Sequence, residues 1–188
     1  MSAFEGLHAG HYSAILADPP WRFKTWSETR QTRSASNHYG VMEQDDIRRL
    51  PVADLAAPDC ALFLWAINPM LPQALETIEA WGFVYKARAF TWAKRSRTGR
   101  AWHFGLGHWT RQGTESVLLA TRGKPKRLSR AVPELIEEPV REHSRKPECV
   151  YERIERLVAG PYAELFARST RPGWDSWGNE TTKWAGAA

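Results

Sequence analysis

Cysteine is nearly absent, with only Cys60 and Cys149 in a chain of 188 residues. The two stand far apart, and neither has a His or Cys neighbour at ligand spacing. That excludes a disulfide framework and a structural zinc site, and predicts two reduced, packed thiols. Long hydrophobic runs are missing as well. No segment approaches the roughly 20 apolar residues of a membrane span, and the first residues show no basic-then-apolar leader, so the expectation is a soluble, cytoplasmic protein. Internal repeats and low-complexity tracts are also lacking. So is a G-x-G-x-x-G after an early strand. A nucleoside-containing cofactor would therefore have to use the later stretch 162–180, with cofactor and target halves in permuted order.

What is present fits one domain over 1–188, with 43% apolar residues and a formal charge of +5. Basic residues cluster at Lys94-Arg95-Ser96-Arg97-Thr98-Gly99-Arg100 and Arg122-Gly123-Lys124-Pro125-Lys126-Arg127, the pattern of a polyanion partner. Ten tryptophans are many for this length. Trp26, Trp92, Trp102 and Trp109 fall among Arg, Lys and His, a mixture suited to stacking on bases; Trp65 and Trp81 are expected in the core.

The chain centres on Ala17-Asp18-Pro19-Pro20-Trp21. The apolar run 11–16 before it reads as a buried strand, which places Asp18 at the carboxyl end of that strand, where open α/β sheets bind ligands. Two prolines fix φ and remove two donors, leaving carbonyl oxygens able to accept. An exocyclic amine suits such a site: Asp18 and a proline carbonyl accept its hydrogens while the base stacks on Trp21. Accepting both hydrogens favours the pyramidal nitrogen that attacks a methyl donor.

Along the chain, 23–37 reads as a polar loop able to close over a substrate, and 43–50 as a short helix with acidic start and basic end, stopped by Pro51. Cys60–Ala66 reads as a strand, and 72–81 as a helix opening on Pro and ended by Gly82. Residues 83–93 are β-rich, 94–113 a basic loop, 114–121 a strand, and 123–142 irregular with one short strand. A helix is predicted to open at Lys146-Pro147, with Val150, Ile154, Leu157 and Val158 on one face. Gly160-Pro161 ends it, 162–167 is the last strand, and 174–180 a closing loop.

Asp18-Pro19-Pro20-Trp21, His38-Tyr39-Gly40-Val41-Met42, Leu62-Phe63-Leu64-Trp65, Trp81-Gly82-Phe83, Trp92-Ala93-Lys94, Gly107-His108-Trp109, His143-Ser144-Arg145-Lys146-Pro147, Glu164-Leu165-Phe166 and Gly178-Asn179 occur in this order. The set resembles the S-adenosylmethionine-dependent N6-adenine methyltransferases that include the catalytic subunit of the eukaryotic messenger-RNA adenosine methyltransferase, and is most similar to compact bacterial and phage members. The resemblance implies an α/β fold of the Rossmann-like methyltransferase kind, with a mixed, mostly parallel sheet and helices on both faces. It implies methyl transfer from S-adenosylmethionine to adenine in nucleic acid, DNA ahead of RNA, single-stranded or with the base flipped. Asp18, Pro19 and Pro20 would hold the amine, Trp21 and Tyr39 would flank the base, and Glu115 would line the same pocket. Ala17 and Asp18 would border the cofactor, Lys146 would take its carboxylate, Arg168 its ribose, and Asn179 and Glu180 its ribose or adenine edge. Arg95, Arg97 and Arg100 are the expected phosphate contacts. The sequence departs from the family at Ser169-Thr170-Arg171, where a His-Asn pair is frequent, and at Glu180, which replaces a glutamine. A homo- or heterodimer is left open. So are two other functions: an inactive nucleic-acid-binding partner of the same fold, and an amino-methyltransferase of cytosine or a small molecule.

Overall fold

The structure, a computed structural model, describes residues 3–21, 42–107, 109–142, 144–179 and 181. Tyr39, Glu180, Trp26 and the polar loop 23–37 lie outside the described residues. In chain order the elements are β1 (Tyr12–Ala17), α1 (Gln44–Arg49), β2 (Ala56–Ala66), α2 (Leu71–Ala80), β3 (Val84–Arg95), β4 (Thr114–Arg122), β5 (Leu135–Pro139), α3 (Cys149–Leu157), β6 (Tyr162–Leu165) and β7 (Trp174–Trp177).

Seven strands form one sheet in the order β5-β3-β4-β2-β1-β6-β7. β2, β1, β6 and β7 are parallel neighbours, β5 is parallel to β3, and β4 alone runs antiparallel, between β2 and β3. Period-two alternation divides the core. In β2, Cys60, Leu62, Leu64 and Ala66 face one layer while Ala61, Phe63 and Trp65 face the other, as in a strand covered on both faces. α1 and α2 cover the first layer through Ile47, Ala74 and Ile78. α3 covers the second through Val150 and Ile154. The expected mixed, mostly parallel sheet with helices on both faces is thus the observed architecture.

α2 ends where its sequence says it should. Gly82 adopts a left-handed φ of 77°, and the amides of Gly82 and Phe83 return to the carbonyls of Glu79 and Ile78, the Schellman arrangement that glycine makes cheap.

Four expectations need correction. Residues 174–177 are not loop but edge strand β7, paired with β6 from Tyr162↔Trp174 to Leu165↔Trp177. β3 continues through Arg95, so Lys94 and Arg95 are strand residues held by β5 rather than loop residues. α3 begins at Cys149 instead of Lys146, leaving Lys146 in the turn that leads into it. Trp92 is only 4% exposed and packs in the core, its indole N–H donating to the Glu138 carbonyl at 2.9 Å, so it offers no open face for stacking. Trp65 and Trp81 are buried as expected, and both cysteines are free thiols. No helix among the described residues is long and apolar enough to cross a membrane.

Candidate active site

β1 lies between β2 and β6, so the sheet order reverses there and a crevice opens beyond its carboxyl end. Asp18 occupies that position. Its amide donates to the Leu165 carbonyl at 3.4 Å, extending the β1–β6 ladder by one residue and fixing where the carboxylate leaves the sheet. The two proline carbonyls already have partners: Pro19 accepts from Trp21 N at 2.8 Å and Pro20 from Met42 N at 3.3 Å. Each keeps one lone pair for a substrate. Trp21 is 5% exposed and its Nε1 donates to the Trp65 carbonyl at 3.0 Å, tying the proline turn to the end of β2. The indole therefore acts as a wall fixed in place.

Around Asp18 the side chains alternate in charge. Lys146 Nζ lies 2.9 Å from Asp18 Oδ2 and 3.4 Å from Glu115 Oε2, and Lys94 donates to the other oxygen of Glu115. Glu115 reaches this point because β4 runs antiparallel: its first residues meet the last residues of β3, with Glu115 opposite Trp92. Burial pushes the Glu115 carboxyl up, but Lys146 and Lys94 together outweigh it and hold the group at about 2. Burial likewise opposes the charge on Lys146, yet Asp18 and Glu115 keep its pKa above the ordinary lysine value. Both groups are ionised at neutral pH. Lys146 also sits 5.3 Å from the Trp65 ring centroid, a cation–π contact that supports the same position.

Two cavities share this wall. The larger, about 560 Å³, is bordered by Pro19, Trp21, Lys94, Arg97, His103 and Glu115, within the size range of small-molecule sites. The smaller, about 40 Å³, is bordered by Glu148, Tyr151, Glu164, Phe166 and Ser169. Asp18, Lys146 and Arg168 line both. On the smaller side, Glu164 is buried, accepts from Tyr151 Oη at 2.9 Å, and leaves its second oxygen with no hydrogen-bond partner among the described residues. Burial, with Asp18 and Glu148 adding to it against Tyr151 and Arg168, pushes the Glu164 carboxyl up to about 7.

Residue by residue, the structure brings Asp18, Pro19, Trp21, Glu115, Lys146 and Arg168 to the larger cavity, while Ala17 is buried in the core at the end of β1 and Pro20 is half-buried in the turn beside them. Asn179 is exposed just after β7. Gly178 lies so close to the 166–167 backbone that a Cβ there would come within 2.4 Å of the Ala167 carbonyl oxygen, so glycine is what lets the chain before Asn179 approach that backbone. Arg97 lines the larger cavity and Arg100 is exposed nearby. Arg95 is committed elsewhere: it donates to Glu137 at 2.8 Å and stacks 3.6 Å from the Trp102 ring. Lys94 and Glu164 have no assigned role in the sequence reading. The signal for Glu164 is a carboxylate inside an otherwise apolar strand. Lys94 has no such signal, because its partner comes from a different strand.

The cofactor of this fold class carries an amino-acid carboxylate, an ammonium, a sulfonium and ribose hydroxyls. The smaller cavity has matching groups: Lys146 and Arg168 as donors, and Asp18, Glu148 and the unsatisfied Glu164 oxygen as acceptors. These donors and acceptors fit the charged amino-acid end of S-adenosylmethionine, whose whole volume far exceeds the roughly 40 Å³ enclosed here.

A mostly parallel α/β sheet with this donor and acceptor set at its switch point is the fold of S-adenosylmethionine-dependent methyltransferases. Residues 12–180 match MT-A70, and the chain belongs to the MT-A70 family. It is 33% identical over 195 residues to the Type II methyltransferase M.MunI of a Mycoplasma sp, spanning 94% of this chain and 81% of that protein. It is 30% identical over 176 residues to the human N(6)-adenosine-methyltransferase catalytic subunit METTL3, spanning 91% of this chain and 28% of that one. An Arabidopsis thaliana N(6)-adenosine-methyltransferase MT-A70-like protein is 32% identical over 177 residues, with 91% and 24% covered. The chain thus spans about a quarter of the length of these eukaryotic relatives.

Proposed function

We propose that the substrate is adenine in DNA, presented unpaired, and that Asp18 holds its amine for attack. The protein is an S-adenosylmethionine-dependent N6-adenine methyltransferase, as its family is. The observation that carries the assignment of roles is that Asp18 and Lys146 stand on the wall common to both cavities. A base in the larger one and the amino-acid end of a cofactor held at the smaller one would meet at this carboxylate.

Lys146 and Arg168 would hold the cofactor, whose bound sulfonium supplies an electrophilic methyl group. Lys146, a compact point charge, would hold the cofactor carboxylate, which would leave Asp18 available to the amine. Asp18 then accepts from the amine, and the free lone pair of the Pro19 or Pro20 carbonyl takes the second hydrogen. This localises the nitrogen lone pair, and orientation of this kind can lower a barrier by roughly 7–11 kcal/mol. Glu115 stays ionised between Lys94 and Lys146 and would remain a counter-charge for Lys146 while Asp18 is engaged with the amine. Arg97, at the rim, draws in phosphate. DNA is favoured because a relative that this chain covers over most of both lengths is a Type II methyltransferase. A base stacked in a duplex does not reach such a cavity, so it is flipped out or supplied single-stranded.

The test is to incubate the protein with cofactor labelled in the methyl group and, separately, duplex DNA, single-stranded DNA and RNA, then digest and identify the labelled nucleoside. N6-methyldeoxyadenosine is the expected product. Label in methylcytosine, or in RNA alone, would overturn the reading.

A further inference from the structure

The segment joining β3 to β4 is a hairpin whose two limbs are held by the backbone of one site residue. Lys94 N donates to the Gly113 carbonyl at 2.8 Å, and His103 N donates to the Lys94 carbonyl at 2.9 Å. Further out, Gly105 N donates to the Gln112 carbonyl at 2.7 Å and closes the hairpin. Beyond that bond Leu106 is 90% exposed and Trp109 91%, more than any other large apolar side chain among the described residues. Leu106 also borders the larger cavity. Two bulky apolar groups held this far into water, at the mouth of a site for a base, are placed for contact with a partner.

The surrounding charge indicates which partner. Arg97, Arg100 and Arg111 are exposed along the same segment, and the cavity wall below carries Lys94, Arg97, Arg141, Arg145, Lys146 and Arg168 against only Asp18, Glu115 and Glu142. A net positive rim around apolar tips matches a duplex, whose phosphates take the cations and whose base stack takes the apolar groups. Removing one base from the stack leaves a gap, and its neighbours lose their contacts unless a side chain fills it.

We infer that the tip formed by Leu106 and Trp109 is a wedge that enters the duplex where the target adenine leaves it. This rests on the adenine reading above. The Lys94 backbone ties the hairpin to a residue whose side chain bonds Glu115, so the distance from wedge to cavity is set by β3 itself. The wedge thus acts on base extrusion and leaves the transfer step alone.

The experiment uses duplex DNA with part of its thymidine replaced by deoxyuridine, before and after treatment with uracil glycosylase. Treatment leaves abasic sites opposite adenines, so those adenines are already unpaired inside a duplex. Trp109→Ala and Leu106→Ala are expected to lose roughly tenfold in kcat/KM on the intact duplex, and to recover to near wild-type rate on the treated DNA. Trp109→Phe, which keeps an aromatic face, is expected to retain most activity on both. Equal loss on the two substrates, or no loss on either, would overturn the wedge. Sedimentation gives the third arm: dissociation of an oligomer on Trp109→Ala would overturn it too and assign the tip to a contact between chains. Wild-type protein inactive on both DNAs would overturn the adenine reading, and the wedge with it.

Discussion

Lys146 and Asp18, 128 residues apart in sequence, meet at 2.9 Å across the crevice between the two cavities. One comes from the turn before α3 and the other from the end of β1, so the pair joins the two halves of the site. It also places the cation expected to hold the cofactor against the carboxylate expected to hold the target amine.

Removing that cation should separate the two functions. Lys146→Ala is expected to weaken S-adenosylmethionine binding by about 1.5–3 kcal/mol, the scale of a charge-assisted hydrogen bond, read by titration calorimetry. DNA binding without cofactor should survive. Lys146→Met, which keeps the buried stem, guards against a packing artefact. Wild-type cofactor affinity in both variants would take Lys146 out of the site.

Glu115 gives a pH-dependent test. Its folded-state value of about 2 lies below the ordinary 4.5, so its contribution to stability is in place above 4.5 and is lost as pH falls through 2. The gap in unfolding free energy between wild type and Glu115→Gln should be constant above that window and shrink within it. Denaturant melts across the acid range measure it, and a gap independent of pH would mean that Glu115 is not held by the two lysines.

Glu164 should behave in the opposite sense. Its value of about 7 lies above 4.5, so the fold favours the protonated form; that contribution is present below 4.5 and is lost as pH rises through 7. Glu164→Gln, permanently neutral, should therefore gain stability relative to wild type between those limits. Parallel pH profiles for the two proteins would show that Glu164 titrates normally.

Much of this arrangement was legible in the sequence. β1, β2, β4, α2 and the buried face of α3 follow from apolar periodicity and from Pro and Gly at the ends of elements, and the Asp18 stretch announces itself by its prolines. β7 was not legible, because its apolar ends, Trp174 and Trp177, face opposite layers with Asp175 and Ser176 between them, so neither a run nor an alternation shows. The Lys94–Glu115–Lys146–Asp18 chain was not legible either. It depends on one antiparallel strand inside a parallel sheet, which sets the start of β4 beside the end of β3. Trp92 and Arg95 looked available for nucleic acid from their neighbours in sequence, and their true partners, Glu138 and Glu137, lie on β5, more than 40 residues on.

That placement sharpens the prediction for the basic segment. Arg97 and Arg100 are exposed whereas Arg95 is tied to Glu137 and Trp102. Arg97→Ala and Arg100→Ala together should flatten the salt dependence of DNA binding, with a slope change of about 0.7–0.9 per lost phosphate contact. Arg95→Ala should leave that slope nearly unchanged. An Arg95→Ala effect as large as the other two would mean that the Glu137 pair opens on binding.

Asp18 decides the mechanism. If its carboxylate accepts from the target amine and turns the nitrogen lone pair toward the methyl group, Asp18→Ala should fold, because Lys146, which loses the half-buried pair with Asp18, keeps Glu115 as its counter-charge. It should still bind DNA through the rim cations. Transfer should collapse, since loss of a preorganised polar group at a reacting centre costs about 10²–10³ in turnover. Asp18→Asn separates shape from charge. The amide keeps an acceptor at the same place and loses the attraction for Lys146, so residual transfer is expected for Asn and essentially none for Ala. Single-turnover rates with labelled cofactor measure both, after thermal unfolding has shown the variants folded. A folded Asp18→Ala protein that methylates adenine near the wild-type rate would remove the carboxylate from the reaction and with it the reason for placing amine and cofactor on either side of this wall.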